Sequence, residues 1–334
     1  MSQREPPSIS QDRLHACLED QYALSPAALE FLPLGHDYNA GVYRVVSKQG
    51  TAYLLKVSSR PLYEPACLVP RYLHEQGVNA VVAPLPTKSG SLWATLEQWT
   101  VLVYPFLEGD TDWNGMTPAQ WKEAGAIFRR IHQSPLPPEG FASLRQETFD
   151  PTAYTRWVRA FENDHLPALR EGSAPARAVC ASWVAHQATI ATGVATLEKL
   201  AAALQARPLP RVICHADLHA ANLLRDRAGR VFVLDWDEVM LAPKERDFIF
   251  IRGPHAEAFW EGYGQRDVDW TALTYYLWER VVQDLIEYAQ GACFRDDWSE
   301  ETRAEAAQWF EVNLAGRSNS SLAAAYAAAA HLAP

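Results

Sequence analysis

The chain has 334 residues, 48% of them hydrophobic and 21% charged, with a formal net charge of −10 at pH 7. That length provides for two domains or lobes with separate cores, and the composition excludes a disordered chain. The acidity, with no run of Lys or Arg, argues against nucleic acid or anionic lipid as partners and fits a cationic ligand.

The opening segment MSQREPPSISQDRL has no apolar h-region, so no signal peptide is expected. No apolar run is long enough to span a bilayer. Cys17, Cys67, Cys180, Cys214 and Cys293 are scattered, without C-x-x-C. The expectation is reduced thiols in a cytoplasm, and no zinc ribbon.

Residues 31–107 read as a mostly antiparallel sheet with one inserted helix. GVYRVVS (41–47) and TAYLLKV (51–57) alternate in hydrophobicity around Lys48-Gln49-Gly50, which is hairpin chemistry. A helix follows over about 64–76, starting near Pro65 and ending at Gly77, with Pro70 expected to kink or interrupt it. SLWATLEQ (91–98) and TVLVYPFLEG (100–109) are again strand-like. Residues 109–116, with two aspartates, two glycines and an asparagine, are the natural joint to a second, helical lobe.

Thr117-Pro118 starts a helix with Trp121, Ala124, Phe128 and Ile131 at helical spacing. Residues 151–206 and 268–290 are helical in pattern. Between them, Leu223-Leu224 and VFVLD (231–235) form two short strands around a turn at Asp226 to Gly229. SLAAAYAAAAHLAP reads as a terminal surface helix. The fold class expected is α+β: a nucleotide-binding sheet lobe over 1–107, and a helical catalytic and substrate lobe over 108–334.

The chemistry concentrates in HADLHAANLL (215–224) and in VFVLDWDE (231–238). A hairpin between them brings Asn222 beside Asp235. One neutral and one charged oxygen donor suit Mg²⁺, which completes its shell with phosphate oxygens and water. Asp217 precedes them, available to a hydroxyl. The spacing H-x-D-x4-N followed by a second aspartate is that of phosphoryl transfer in the protein-kinase style.

Such a kinase needs a strand lysine for the nucleotide phosphates, an acid to hold it and a loop over the phosphates. Lys56 is the one lysine inside an apolar strand of the first lobe, and Glu64 and Glu75 are the nearby acids. The loop candidate is LGHDYNAGVYRV (34–45), with Gly35 and Gly41. TVLVYPF, with Tyr104 and Phe106, is then the hinge whose backbone faces an adenine ring.

A rival from another class is a metal-dependent hydrolase with His215, Asp217, His219, Asp235 and Asp237 as Zn²⁺ ligands. It leaves the Lys56 lobe unexplained. A third possibility is a nucleotide-binding module without catalysis, against which the complete set Lys56, Asp217, Asn222 and Asp235 speaks.

HADLHAANLL with VFVLDWDE resembles the catalytic-loop motif of the aminoglycoside phosphotransferases, small-molecule kinases with a bilobal protein-kinase-like fold. The resemblance spans about residues 10–315. DWDEVMLAPKERDFIFI (235–251), YPF (104–106) and YYLWERVVQDLIEY (275–288) are further similar to spectinomycin phosphotransferases.

The resemblance implies Asp217 as catalytic aspartate and Asn222 and Asp235 as Mg²⁺ ligands. It implies Lys56 on the phosphates of ATP, paired with Glu64, although Pro65 and Pro70 depart from the family pattern. His215 is implied as a mainly structural support, Asp247 as a second support of the catalytic loop, and His219 as a helper. The substrate implied is a cationic aminocyclitol antibiotic with two secondary amines, for which Asp237, Glu238, Glu279, Asp284 and Glu287 are the candidate contacts. Arg280, Asp284 and Glu287 share one helix face at i, i+4, i+7, as do Tyr276 and Glu279, and an ion-paired solvated stripe is the alternative for that face. A same-fold kinase of another small hydroxylated metabolite remains open; the oligomeric state is not legible.

Overall fold

The structure is a computed structural model that describes residues 6–33, 40–136, 141–264, 266–316 and 320–332. The first part of the loop expected over the phosphates, 34–39, lies outside the described residues. The chain forms two compact units, one of residues 1–145, 212–241 and 257–265, the other of residues 146–211, 242–256 and 266–334.

The first unit opens with a helix, α1 (Gln11–Tyr22), whose N-cap Ser10 accepts from the backbone N–H of Arg13. A five-stranded sheet follows in the order β1-β2-β3-β5-β4, with β1 Pro26–Leu32, β2 Ala40–Ser47, β3 Ala52–Ser58, β4 Ala94–Leu96 and β5 Trp99–Pro105. Every pairing in it is antiparallel. Neither α1 nor β1 is among the expected elements, which begin at residue 31. PAALEFL alternates weakly, whereas Leu14, Cys17, Leu18 and Tyr22 of α1 stand at i, i+3, i+4 and i+8, a helical period in an otherwise polar segment.

Side chains alternate across the sheet. On one face Tyr43, Val45, Leu55, Val57, Val101 and Val103 pack against Leu14, Cys17, Leu18 and Tyr22 of α1. The other face carries the rows Val42–Lys56–Leu102 and Arg44–Leu54–Tyr104. Helix α2 (Pro65–Glu75) is associated with this second face: Cys67 clusters with Leu92, Leu102 and the partly buried Tyr104.

Pro70 does not interrupt α2. The proline is itself buried with Val69 and Leu73, so packing offsets the hydrogen bond it cannot donate. The strand expected over 91–98 shrinks to Ala94–Leu96. Ser91 Oγ donates to the carbonyl of Trp93 and accepts its N–H, which competes with ladder pairing, while Leu92 turns into the Cys67 cluster.

The same unit holds the capping-box helix α3 (Pro118–Gln133) and a three-stranded sheet in the order β6-β8-β9, where β6 is Gly109–Asp110, β8 Leu223–Asp226 and β9 Val231–Val233. A two-residue shorter return arm than the expected VFVLD leaves Leu234 and Asp235 beyond the last rung.

The second unit is helical. Trp270–Phe294 is its longest helix, and Thr152–Ala160, Ala174–Ala185, Gln187–Gln205, Glu300–Leu314 and Ser321–Ala329 pack on it. The last of these, expected as a surface helix, buries Leu322, Ala325 and Ala328. No helix among the described residues is long and apolar enough to cross a membrane.

Candidate active site

The HADLHAANLL segment leaves a short strand, β7 (Val212–Cys214), and crosses to β8 through a single helical turn, Ala220–Asn222. Leu218 and Ala220 point into the core and so leave Asp217 and His219 partly exposed. Ala216 has φ 69°, and across the hairpin Asp235 has φ 56°. Both are non-glycine residues in the left-handed region, a conformation that costs energy and persists where surrounding contacts impose it.

His215 supplies those contacts. Its ring is fully buried, between Phe128 and Trp236. Nε2 lies 2.7 Å from the carbonyl oxygen of Leu234, and Nδ1 lies 3.3 Å from the backbone N of Asp217. The carbonyl can only accept and the amide can only donate, so Nε2 carries the proton and Nδ1 accepts. One imidazole thus ties the Asp217 backbone to the residue that precedes Asp235.

Asn222 is buried and reinforces the tie. Its backbone carbonyl accepts from Leu234 N at 2.9 Å. Its side-chain Nδ2 donates to the Asp217 carbonyl at 2.9 Å and to Asp217 Oδ2 at 3.2 Å. With the amide nitrogen committed to Asp217, the amide oxygen is the atom left for a cation. His219 Nε2 is 3.2 Å from Asp217 Oδ2.

Lys56 is brought to the same place. Its Nζ is 2.8 Å from Asp237 Oδ2 and 3.6 Å from Asp235 Oδ1. Burial pushes the Asp235 carboxyl above its ordinary value; Lys56 opposes the shift, and Asp237 and Asp217 add to it. Half of the Asp235 side chain nevertheless reaches solvent, at 53% exposure, as a group lining a recess does. A crowded carboxylate beside a buried amide oxygen is a hard, anionic donor pair, and it fits Mg²⁺.

Glu64 is not brought to Lys56. It stands exposed at the N-cap of α2, whereas Asp237 and Asp235 do meet the lysine. Glu75 pairs instead with Arg71 in its own helix. Asp237, expected as a substrate contact, is therefore a partner of Lys56. Its segment is fastened by residues that no sequence pattern marks. Arg145 donates to the Asp237 carbonyl at 2.6 Å and to Glu238 Oε2 at 3.0 Å, and lies over the ring of Tyr63. Tyr63 OH donates to the Val239 carbonyl and accepts from Arg145 N, both at 2.9 Å. These partners stand some 80 to 180 residues apart in sequence, beyond any local signal.

Tyr104 lies on the Lys56 face of the sheet, and burial raises its hydroxyl pKa well above the ordinary value. Phe106 follows the end of β5, under the guanidinium of Arg44. Asp247 is fully buried in a short turn of the second unit.

Also in the second unit, Glu279 is buried, ion-paired with Arg246, and accepts from Tyr275 OH at 3.1 Å. Asp284 is buried and paired with Arg280 at 2.7 Å. Both carboxyls are raised first by burial, with the arginines opposing. The expected one-face array is thus an internal ion-pair stripe over most of its length. Of the candidate acids on this helix, only Glu287 is exposed.

The hydrolase constellation does not assemble. No three of His215, Asp217, His219, Asp235 and Asp237 bring ligand atoms within 4.8 Å of one another.

Residues 30–276 match the phosphotransferase enzyme family. The chain belongs to that family. Among solved structures it is similar to a spectinomycin phosphotransferase in complex with ADP and spectinomycin, at 28% identity and a TM-score of 0.84, over 96% of this chain and 99% of that one. An aminoglycoside phosphotransferase from Alicyclobacillus acidocaldarius, at 18% identity and a TM-score of 0.63 over 99% of each chain, shares the fold. Protein StrN of Streptomyces griseus is 27% identical over 234 residues, which are 66% of this chain and 68% of StrN. The fold is the kinase-like α+β fold, with its antiparallel sheet N-terminal and a mainly helical remainder.

Proposed function

We propose that the chain is an ATP-dependent O-phosphotransferase acting on a hydroxyl of a cationic aminocyclitol antibiotic, with spectinomycin as its substrate and resistance as the outcome. The observation that carries the proposal is the gathering of Lys56, Asp217, Asn222 and Asp235 within one compact unit, with charge and hydrogen bonding that suit phosphoryl transfer. The similarity to a solved spectinomycin phosphotransferase along nearly the whole chain supports the choice of substrate.

In this proposal residues 1–107 form the nucleotide-binding lobe and residues 108–334 the catalytic and substrate lobe. The adenine lies along the Tyr104–Phe106 backbone, and Lys56, held in place by Asp237, contacts the phosphates. Asn222 and Asp235 would hold Mg²⁺, which neutralises phosphate charge when bound. Asp217 orients the acceptor hydroxyl and takes its proton as the bond to phosphorus forms; ADP leaves with the electrons of the broken bond. Catalysis is then positioning plus charge neutralisation. Of the candidate acids in the unit that carries Asp217, Asp237 is held to Lys56 and Glu238 to Arg145, so a substrate ammonium group would have to compete with those cations.

Purified chain with ATP and Mg²⁺ is expected to release ADP when spectinomycin is added, and cells expressing it to tolerate more of the drug. A panel of other aminoglycosides, sugars and amino alcohols separates this from a same-fold kinase of another metabolite. No acceptor-dependent ADP with any of them would end the phosphotransferase proposal.

A further inference from the structure

The segment 109–116 carries an aromatic ring that the proposed chemistry leaves without a task. Trp113 is 54% exposed, and its indole stacks on His219 with ring centroids 4.7 Å apart and planes at 29°. An indole this exposed usually owes its place to nothing in particular. This one is held by the chain around it.

Arg225, buried in β8, donates from Nη2 to Asp110 Oδ2 at 2.8 Å and from Nη1 to the Asp112 carbonyl at 2.9 Å. Asp110 Oδ1 accepts from Asp112 N at 2.7 Å, and Asp112 Oδ1 accepts from Asn114 N at 3.1 Å, so the turn closes on both sides of Trp113. At Gly109 the approach is close enough to require glycine, since a Cβ there would stand 2.4 Å from the Arg225 carbonyl oxygen. Arg225 follows Asn222 by three residues, so the strand that continues from the proposed metal ligand also clamps the turn that carries the indole.

His219 lies between the two. Its Nε2 is 3.2 Å from Asp217 Oδ2 and 3.3 Å from Asn222 Nδ2. Turning the imidazole about its own bond would carry Nε2 away from Asp217. It would also break the face contact with the indole, and stacked aromatic pairs resist that.

We propose that Trp113 and His219 form a positioning pair for Asp217. The clamped indole fixes the plane of the imidazole, and Nε2 fixes one carboxylate oxygen, which aims the other at the acceptor hydroxyl. The proposal rests on the phosphotransferase activity given above. Trp113 acts through His219 and touches no substrate.

The test is a double-mutant cycle read as kcat and KM separately, with ATP, Mg²⁺ and spectinomycin. Trp113→Ala lowers kcat about 3- to 10-fold, the value of one stacked pair, with both KM values unchanged, and Trp113→Phe restores most of it. His219→Ala lowers kcat on the order of 100-fold. Adding Trp113→Ala to His219→Ala costs nothing more, because the indole's only route is the imidazole. Trp309→Ala, which removes an indole of similar exposure in the second unit, leaves kcat alone. Additive losses overturn the proposal. So does a rise in acceptor KM at constant kcat, which would make Trp113 a substrate platform. If no acceptor is turned over, the activity fails and the pair is decided by NMR. Loss of the indole ring current moves the His219 ring protons downfield in Trp113→Ala; unmoved signals overturn it.

Discussion

His215→Ala removes the imidazole that joins the two catalytic segments, and the size of the loss follows from its contacts. The mutation strands the Leu234 carbonyl, 2.7 Å from Nε2, and the Asp217 N–H, 3.3 Å from Nδ1, in a fully buried place. Each unsatisfied group costs about 1–3 kcal/mol. The void between Phe128 and Trp236 adds to this, for a total near 3–6 kcal/mol. In domains of 150–250 residues 1 kcal/mol moves Tm by about 2–4 °C, so Tm falls on the order of 10 °C. Asp217 and the Asp235 turn both lose their tie, and misplacement of that kind lowers kcat on the order of 100-fold. The KM for ATP rises as well, since Asp235 is a proposed Mg²⁺ ligand and lies beside Lys56. Differential scanning calorimetry and steady-state ADP release measure the two effects. A His215→Ala chain with wild-type Tm and wild-type kcat would refute the brace. Wild-type Tm with activity lost and restored by imidazole would make His215 a reacting group instead.

Asp217→Asn keeps Tm and nucleotide affinity and lowers kcat by about 1000-fold or more, by single-turnover assay. Asp237→Asn lowers kcat/KM for ATP about 3- to 10-fold by releasing Lys56, whereas Glu64→Gln has no effect; the reverse order would restore the helix glutamate as the lysine's partner. Glu279 and Asp284 have folded-state pKa values raised by burial. The stability each contributes is present below its ordinary carboxylate pKa and is lost as pH rises through the raised value. Thermal melts of the ligand-free chain between mildly acidic and neutral pH therefore decline more steeply than those of Glu279→Gln with Asp284→Asn. That double variant keeps the acceptor KM, and a large rise in it would return these acids to the substrate.

Much of the site was legible because its residues are close in the chain or repeat a period. H-x-D-x4-N places Asp217 and Asn222 five residues apart, and a single hairpin then delivers Asp235. Lys56 was legible as a cation inside an alternating apolar strand. The failures have physical causes as well. The weakly alternating PAALEFL carries little strand signal, although α1 before it does show a helical period in Leu14, Cys17, Leu18 and Tyr22. Pro70 reads as a breaker only until burial on both sides outweighs the missing donor.

The sequence by itself determined the elements and the chemistry: which strands alternate, which loop holds the carboxylate and amide, and the overall acidity. Only the tertiary structure decided which charges meet. It paired Lys56 with Asp237 and not with Glu64, sank Glu279 and Asp284 against arginines, and set Trp113 on His219. Helix faces and strand alternation come from local periods of a few residues, so they are written along the chain. An ion pair depends on a distance of a few ångströms between groups up to 181 residues apart, and only packing of the core sets that distance.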